Sequence, residues 1–193
     1  GPLLAPIHAS VQRLWKLVAW ASFRRRLRLP LQTPTRAVAQ GVMRAAFVIR
    51  DNLRHRRDIE QAYLAAFGQA REEIVLANAY FLPGLRFRRA LQEAAVRGVR
   101  VTILLQGRVE YAVQHYASQA LYGALLASGI RIFEYHHSFL HAKVAVVDRA
   151  WATVGSSNID PFSLLLAREA NVVVKDRGFA SELRASLEAA MQS

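Results

Sequence analysis

The sequences EIVLA at residues 73–77 and VTILL at residues 101–105 decide the fold that this chain predicts. Both are short and almost continuously apolar, which is typical of strands that are buried on both faces of a sheet. A stretch with helical spacing at residues 86–97 separates them, and Gly98 follows it as a plausible helix end. This order of strand, helix and strand predicts an α/β fold with a mixed, mainly parallel β-sheet sandwiched by helices.

The same alternation extends in both directions along the chain. Apolar spacing predicts further strands and helices from residue 46 onward, and Gly129 is a second plausible helix end. The strands are expected at residues 46–50, 73–79, 101–106, 130–135, 140–147 and 170–174, with one more that ends at Gly155, and the helices at residues 57–70, 86–97, 117–127 and 178–191.

The composition restricts the classes of partner. Lysine and arginine exceed aspartate and glutamate by 12, and the isoelectric point is near 11.1, so nucleic acid or an anionic membrane surface is favoured. The chain contains no cysteine, which excludes disulfides and thiolate sites. It also has no run of about 18 uncharged apolar residues, so the sequence predicts no membrane-spanning helix.

A different composition precedes the alternating part. Residues 11–29 predict a broadly apolar helix that carries Trp15, Trp20 and Phe23 and ends in a cluster of arginines. The sequence LPLQTPT at residues 29–35 then indicates a linker. Two interpretations fit such a helix equally well. It lies on anionic lipid with its tryptophans at headgroup level, or it packs against another part of the protein.

Polar residues interrupt the apolar pattern in the sequence FLHAKVAVVDRAWATVGSSN at residues 139–158. Side chains alternate along a strand, so His141 and Lys143 are expected to project from the same face. Ser156 and Asn158 share one parity just beyond the next strand, where hydroxyl and amide groups can meet an anionic oxygen. Imidazole, ammonium, hydroxyl and carboxamide groups together favour a phosphodiester site that needs no metal.

A zinc site is the alternative for the histidines of this region. His136 and His137 precede His141, and histidine nitrogens are common zinc ligands. Adjacent strand residues point to opposite faces, however, so the pair cannot easily share one ion. We therefore expect neither a metal nor another cofactor.

The spacing His-x-Lys-x4-Asp-x6-Gly-Ser-x-Asn, with every fixed position filled, resembles the HKD signature of the phospholipase D superfamily. The sequences NAYFLPG at residues 78–84 and WATVGSSN-x-DP-x-S-x5-EAN at residues 151–171 are more specific. They are similar to the C-terminal half of bacterial cardiolipin synthases, above all of type B. This similarity extends over roughly residues 46–190.

The resemblance implies a reaction in which a histidine attacks phosphorus, forms a phosphohistidine and passes the phosphatidyl group on. The implied enzyme is a phosphatidyltransferase that makes cardiolipin from phosphatidylglycerol at a site built from two motifs. This chain carries one motif, so the expected partners are an N-terminal half with the other motif or a second copy of the chain, together with anionic phospholipid and a membrane surface. Nucleic acid is less expected, and the expected location is the periphery of the bacterial cell membrane.

The resemblance also assigns roles to residues of the motif. His141 is expected to be the nucleophile or the general acid, and Lys143 to neutralise the phosphate. Ser156 and Asn158 are expected to donate hydrogen bonds to the phosphate oxygens. The family pattern implies that Glu169 accepts the other ring N–H of His141 and sets its tautomer.

Three further residues complete the candidate site. Asp148 belongs to the signature and thus to the candidate catalytic set, but its strand parity is opposite to that of His141. We therefore expect Asp148 to face away and to serve the scaffold. Asn78 and Tyr80 end a strand at the sheet edge, where ligand contacts collect, and are candidates to line a lipid entrance. A tyrosine packed into the protein is an equal alternative.

The segment GVMRAAFVIRDN at residues 41–52 resembles the sequence that joins the two halves of such synthases. We therefore expect residues 1–45 to be a basic, apolar helix and linker from the region between the halves. Residues 46–193 are expected to be a phospholipase D-like catalytic domain. The alternative is a natural short form, and with it a single-motif nuclease or phosphodiesterase of the same superfamily that dimerises to form its site.

Overall fold

The computed structural model describes residues 1–22, 41–51 and 53–193, and its elements are numbered along the chain. The strands are β1 Arg44–Arg50, β2 Glu73–Asn78, β3 Arg100–Gln106, β4 Arg131–Tyr135, β5 Lys143–Val147, β6 Trp151–Gly155 and β7 Glu169–Lys175. The helices are α1 Leu4–Ala21, α2 Asp58–Gln69, α3 Leu85–Val96, α4 Ala112–Gln119, α5 Tyr122–Ala127, α6 Pro161–Leu165 and α7 Arg177–Gln192.

The strands form one sheet in the order β1-β7-β6-β5-β2-β3-β4. Strands β2, β3 and β4 are parallel neighbours, as helical crossovers between them require. This confirms the α/β class and the mixed sheet. The expectation of a mainly parallel sheet is wrong, because the pairings β1 with β7, β7 with β6, β6 with β5 and β5 with β2 are all antiparallel.

A tight turn at residues 148–150 explains part of this antiparallel arrangement. Asp148 and Arg149 adopt positive φ angles of 50° and 49°, and the Ala150 N–H donates to the Val147 carbonyl at 3.1 Å. A turn of this length can join only antiparallel strands, whereas parallel strands need a crossover of a dozen or more residues. The sequence between β5 and β6 leaves no room for such a crossover.

All residues of strand β2 are buried, and its two faces contribute to the hydrophobic layers on the two sides of the sheet. Ile74 and Leu76 face helices α2, α3 and α5, where Phe67 and Phe87 meet edge to face with their ring centroids 5.1 Å apart. The alternate residues of β2 face helix α7 on the other side of the sheet. Burying each large apolar side chain contributes about 1.5–3 kcal/mol, so these two layers hold the sheet edge in a fixed position.

The elements predicted from residue 46 onward are present, α6 was not predicted, and two of the predicted elements need a larger correction. The helix expected at residues 117–127 is two helices, α4 and α5, because the Leu121 N–H bonds to the carbonyl of Ser118 three residues back and so tightens the chain. The strand expected at residues 140–147 begins only at Lys143, because the Leu140 N–H bonds to the side chain of Gln106 instead of a neighbouring strand.

Both predicted glycine helix ends are confirmed. Gly98 and Gly129 follow helices α3 and α5 with φ angles of 88° and 80°. This left-handed conformation is strained for residues with a Cβ, and glycine adopts it readily.

Helix α1 begins earlier than predicted, and none of its residues is buried. Trp20, for example, is 77% exposed. The end of the predicted helix, including Phe23, and the predicted linker at residues 29–35 lie outside the described residues. Among the helices of the described ranges, none is long and apolar enough to cross a membrane.

Candidate active site

The residues of the motif other than Asp148 lie at one end of the strands of the sheet. Strand β5 begins at Lys143 and β7 begins at Glu169, whereas β2 ends at Asn78 and β6 ends at Gly155. Strand β5 is antiparallel to β2, so the start of β5 lies beside the end of β2. Strand β7 is antiparallel to β6, so the start of β7 lies beside the end of β6. The topology therefore brings together polar side chains that are far apart in the sequence.

Lys143 is the buried cation at this end of the strands. Its side chain is only 6% exposed and lies opposite Asn78 in the sheet register. The ammonium group donates a hydrogen bond to the His141 carbonyl at 3.3 Å. Burial lowers the pKa of Lys143, although the negative charge of Glu169 opposes this shift. A poorly hydrated cation of this kind attracts a phosphate strongly.

His141 lies in a loop that crosses this edge just before β5, and its side chain is exposed. The Gln106 side-chain oxygen accepts from the Leu140 N–H at 2.7 Å. The Arg108 guanidinium donates to the carbonyls of His136 and His137 at 2.7 and 2.8 Å. Strand alternation therefore does not set the direction of His141, and these three contacts fix the loop that carries it.

Ser156 and Glu169 form a close side-chain pair across the ends of β6 and β7. The Ser156 hydroxyl also accepts from the Ala170 N–H at 3.1 Å. The expected hydrogen bond between Glu169 and the ring of His141 is not present in the described ranges. The role of Glu169 in setting the histidine tautomer stays a prediction.

The loop after β6 is fixed to the end of β2. The Asn78 side-chain oxygen accepts from the Ile159 N–H at 3.1 Å, next to Asn158. The Asn78 side-chain nitrogen and the Asn158 side-chain oxygen are buried and have no hydrogen-bond partner among the described residues. Such groups cost about 1–3 kcal/mol each, so they favour a site that is completed by a ligand. Asn78 has an exposed fraction of 0%, and its role in lining a lipid entrance stays a prediction.

Asn171 supports the site, and the sequence analysis did not single it out. Its buried side chain donates to the Thr153 hydroxyl at 3.2 Å and accepts from the Ser157 N–H at 3.4 Å. A Cβ atom on Gly155 would overlap this carboxamide, so glycine is required there for the two strands to approach. The EAN sequence at residues 169–171 was the available signal.

A buried arginine, Arg50, lies at the same end of the sheet, on the outer strand β1. Arg50 ends β1 opposite Glu169 in the register, and its guanidinium donates to the carbonyl of Ala167. This contact fixes the chain where it enters β7, close to the pair of Ser156 and Glu169. Its sequence signal is weak, because a charged residue at a strand end is common.

Asp148 follows β5 and lies at the other end of the strands, beside the start of β2. Its carboxylate accepts from the backbone N–H groups of Arg71, Glu72 and Glu73 at 2.9, 2.8 and 3.0 Å. These contacts tie the turn between β5 and β6 to the start of β2. They support the expected role in the scaffold, which remains a prediction.

The histidines before the motif do not converge on a metal site. His136 lies 3.5 Å from the Glu134 carboxylate, and the described part of the chain contains no group of three or more His, Asp or Glu residues placed to hold a metal ion.

A cleft adjoins the site on the β3 side. Tyr80 lines it and donates to the Glu110 carboxylate at 2.5 Å. Burial and this carboxylate raise the pKa of Tyr80, so the phenol stays protonated. Tyr80 lines this cleft, and its role in lining a lipid entrance stays a prediction.

Comparison with known proteins agrees with this arrangement. Residues 63–191 match the family described as "Cardiolipin synthase, PLD-like domain", and the chain belongs to this family. Cardiolipin synthase B of Escherichia coli (strain K12) is 48% identical over 147 residues, which cover 76% of this chain and 36% of the relative. The chain thus spans about a third of the length of this curated relative.

Solved structures share the fold. The phospholipase D family member Nuc from Salmonella typhimurium superposes with a TM-score of 0.67 at 22% identity, covering 77% of this chain and 94% of that one. The phosphatidylserine synthase of Haemophilus influenzae superposes with a TM-score of 0.60 at 16% identity, covering 78% and 38% of the two chains.

Proposed function

We propose that this chain supplies one of the two motifs of a phosphatidyltransferase that makes cardiolipin from phosphatidylglycerol. The observation that carries the proposal is the position of Lys143 at the start of β5, directly after His141, beside the end of β6, after which Ser156 and Asn158 follow, in a chain 48% identical to cardiolipin synthase B over 147 residues. The buried side-chain nitrogen of Asn78, a donor that has no partner among the described residues, supports a site for a phosphate oxygen there.

The proposed reaction has two steps, and the second imidazole donates a proton in the first step and accepts one in the second. An imidazole nitrogen attacks the phosphorus of a donor phosphatidylglycerol, a P–N bond forms, and the P–O bond to the headgroup glycerol breaks. The second imidazole gives its proton to the departing alkoxide, so glycerol leaves. A hydroxyl of the acceptor phosphatidylglycerol then attacks the phosphohistidine: a P–O bond forms, the P–N bond breaks, the hydroxyl proton passes to the second imidazole, and cardiolipin and the free histidine result. His141 is one of these two imidazoles.

The remaining polar residues act on the charge of the phosphate. Lys143 opposes the negative charge that grows on the oxygens in the transition state, and it is effective because it is buried. The Asn158 side chain provides a hydrogen bond to the same oxygens. Ser156 donates its one hydroxyl proton to Glu169, so it donates to these oxygens only when that bond is exchanged for one to the phosphate.

A second motif is required on geometric grounds. One imidazole cannot attack phosphorus and protonate the leaving oxygen on the opposite side of the same phosphorus. The second histidine comes from another segment of a longer protein or from a second copy of the chain. Residues 46–193 are the catalytic half in this proposal, and residues 1–45 connect the halves.

We further propose that the protein acts at the periphery of the bacterial cell membrane, with α1 on the lipid surface. This helix exposes Trp15, Trp20 and neighbouring leucines and also carries Arg13 and Lys16. Tryptophans at headgroup level and cations on anionic lipid suit an interfacial helix. Packing of α1 on another part of the protein is the alternative outcome.

Turnover on vesicles of phosphatidylglycerol tests the proposal. Cardiolipin is measured by mass spectrometry for the chain alone and for the chain joined to a segment with the second motif. We expect product only where two motifs are present, and a loss of about 100-fold or more in the Lys143→Met variant.

The matched control is Lys175→Met, because Lys175 is an exposed lysine at the other end of β7. It should keep its activity. Strong turnover by a species shown to be monomeric with one motif would contradict the two-motif proposal. Cleavage of nucleic acid without lipid turnover would support the nuclease alternative.

A further inference from the structure

Helix α4 has the reverse of the usual amphipathic arrangement. Its polar residues Gln114 and Ser118 face inwards: the Gln114 side-chain oxygen is buried, and the Ser118 hydroxyl donates to the Phe81 carbonyl at 2.7 Å. Val113 and Tyr116 share the outer face of the helix and are 84% and 63% exposed. A surface helix normally turns its apolar side to the core, so this outer face is suited to contact something less polar than water.

The exposed face of α4 continues into two neighbouring loops. Val109 and Tyr111 precede the helix and are exposed. Phe139 is also exposed and lies in the loop that carries His141, where the Arg108 guanidinium is 6.0 Å from its ring centroid. These apolar residues form one surface, the α4 patch: Val109, Tyr111, Val113, Tyr116 and Phe139.

The α4 patch borders the end of the strands at which the motif lies. Strand β3 ends at Gln106, and α4 follows on that side of the sheet. Tyr80, just beyond the end of β2, meets Tyr111 edge to face with the ring centroids 5.7 Å apart. A flat partner that contacts the patch would therefore lie close to His141 and Lys143.

The charge near the patch favours an anionic partner. The segments between the elements at this end, α6 included, are residues 51–57, 79–84, 107–111, 136–142 and 156–168. Their exposed arginines are Arg54, Arg56, Arg57, Arg108 and Arg168. Among the described residues of these segments, Glu110 is the one exposed carboxylate. A second copy of the chain placed on this surface would bring the same arginines and be repelled, whereas anionic lipid would be attracted.

Tyrosines, aliphatic side chains and arginines suit the headgroup level of a bilayer, because their apolar parts are buried there while hydroxyl and guanidinium groups stay hydrated. We propose that the α4 patch inserts into the headgroup region of an anionic bilayer and holds the motif end of the sheet against the lipid surface. This inference rests on the proposed function and adds a second lipid contact to that of α1. A phospholipid then reaches Lys143 without leaving the bilayer.

A fluorophore on the patch tests the inference without requiring turnover. The chain has no cysteine, so Val113→Cys provides a single labelling position. Val96→Cys is the matched control, because Val96 is also 84% exposed but ends α3 at the other end of the strands. Each labelled whole chain is mixed with vesicles of phosphatidylglycerol that carries bromine on its acyl chains. We expect strong quenching of the label on Val113→Cys and little on Val96→Cys.

Two neutral substitutions give a second readout. Val113→Gln should weaken partition of the chain onto phosphatidylglycerol vesicles about fivefold, because it removes an apolar side chain from the contact and leaves the net charge unchanged. Val96→Gln should partition like the wild type. In the two-motif protein, Val113→Gln should lower cardiolipin formation more on vesicles than on a short-chain phosphatidylglycerol that is dispersed as monomers.

Three results would overturn the inference. They are equal quenching of the two labels, wild-type partition of Val113→Gln, and a label on Val113→Cys that responds to a segment with the second motif and not to vesicles. The third result would make the patch a protein interface. Failure of the proposed function looks different, because bromine would still quench the label on Val113→Cys while the two-motif protein made no cardiolipin.

Discussion

Replacement of Asp148 by asparagine should lower the stability of the fold and leave the catalytic activity of the folded protein largely intact. The Asp148 carboxylate accepts three backbone N–H bonds from residues 71–73 at the edge of the sheet opposite to Lys143. An asparagine keeps one acceptor oxygen and places an NH2 group where the other oxygen was. At least one backbone N–H then faces a donor instead of an acceptor.

The cost follows from these bonds. Leaving a backbone N–H without its acceptor costs about 1–3 kcal/mol of unfolding free energy. Asparagine tolerates the φ angle of 50° at this position, so no backbone strain adds to this figure. For a domain of this size the melting temperature should fall by roughly 2–4 °C per kcal/mol, which gives about 2–12 °C. Asp148→Ala should cost more, because it removes all three bonds and fits the turn poorly.

The matched variant is Glu169→Gln at the opposite edge. A carboxylate that sets a histidine tautomer affects turnover more than stability, so this change should lower kcat about tenfold or more with a nearly unchanged melt. Asp148→Asn should do the reverse. The assay is a thermal melt and an initial rate of cardiolipin formation on each purified variant in the two-motif protein. An Asp148→Asn protein that melts like the wild type but is inactive would refute this division of roles.

Three further outcomes are expected. Burial opposes ionisation of Glu73, but Arg149 and Arg184 outweigh it and lower its pKa. The stability from this ion cluster is therefore present above the pKa that Glu73 has in the unfolded chain, and it is lost as the pH falls through the pKa that Glu73 has in the folded protein. Glu73→Gln should accordingly reduce the fall in melting temperature at acid pH. Gly155→Ala should displace the Asn171 side chain and cost about 1–3 kcal/mol in a denaturant titration, together with activity. Deletion of residues 4–21 should weaken flotation with anionic vesicles more than with neutral ones, and unchanged flotation would favour a packed α1.

The sequence predicted those features of the fold that depend on local pattern. The apolar runs of β2 and β3 indicate burial on both faces, and the structure buries β2 completely. Gly98 and Gly129 end helices because their positive φ angles are set by the local backbone. Ser156 and Asn158 were expected just beyond a strand, and they follow the end of β6.

Long-range contacts account for the features that the sequence did not predict. The bond from Leu140 to Gln106 shortens β5, and the contact of Ser118 with Phe81 accompanies the end of α4 near the break before α5. Strand direction in the second half of the sheet depends on pairings between distant segments. The pair of Tyr80 and Glu110 joins residues that no spacing rule connects.

The most direct test of the central claim is mass spectrometry of the two-motif protein, quenched within milliseconds of mixing with phosphatidylglycerol. We predict a protein species heavier by one phosphatidyl group, bound to a histidine, that disappears as cardiolipin forms. The His141→Asn protein should form neither the adduct nor the product at a comparable rate. Cardiolipin formation at the wild-type rate by His141→Asn, or by the wild type without a covalent phosphatidyl species, would contradict the account.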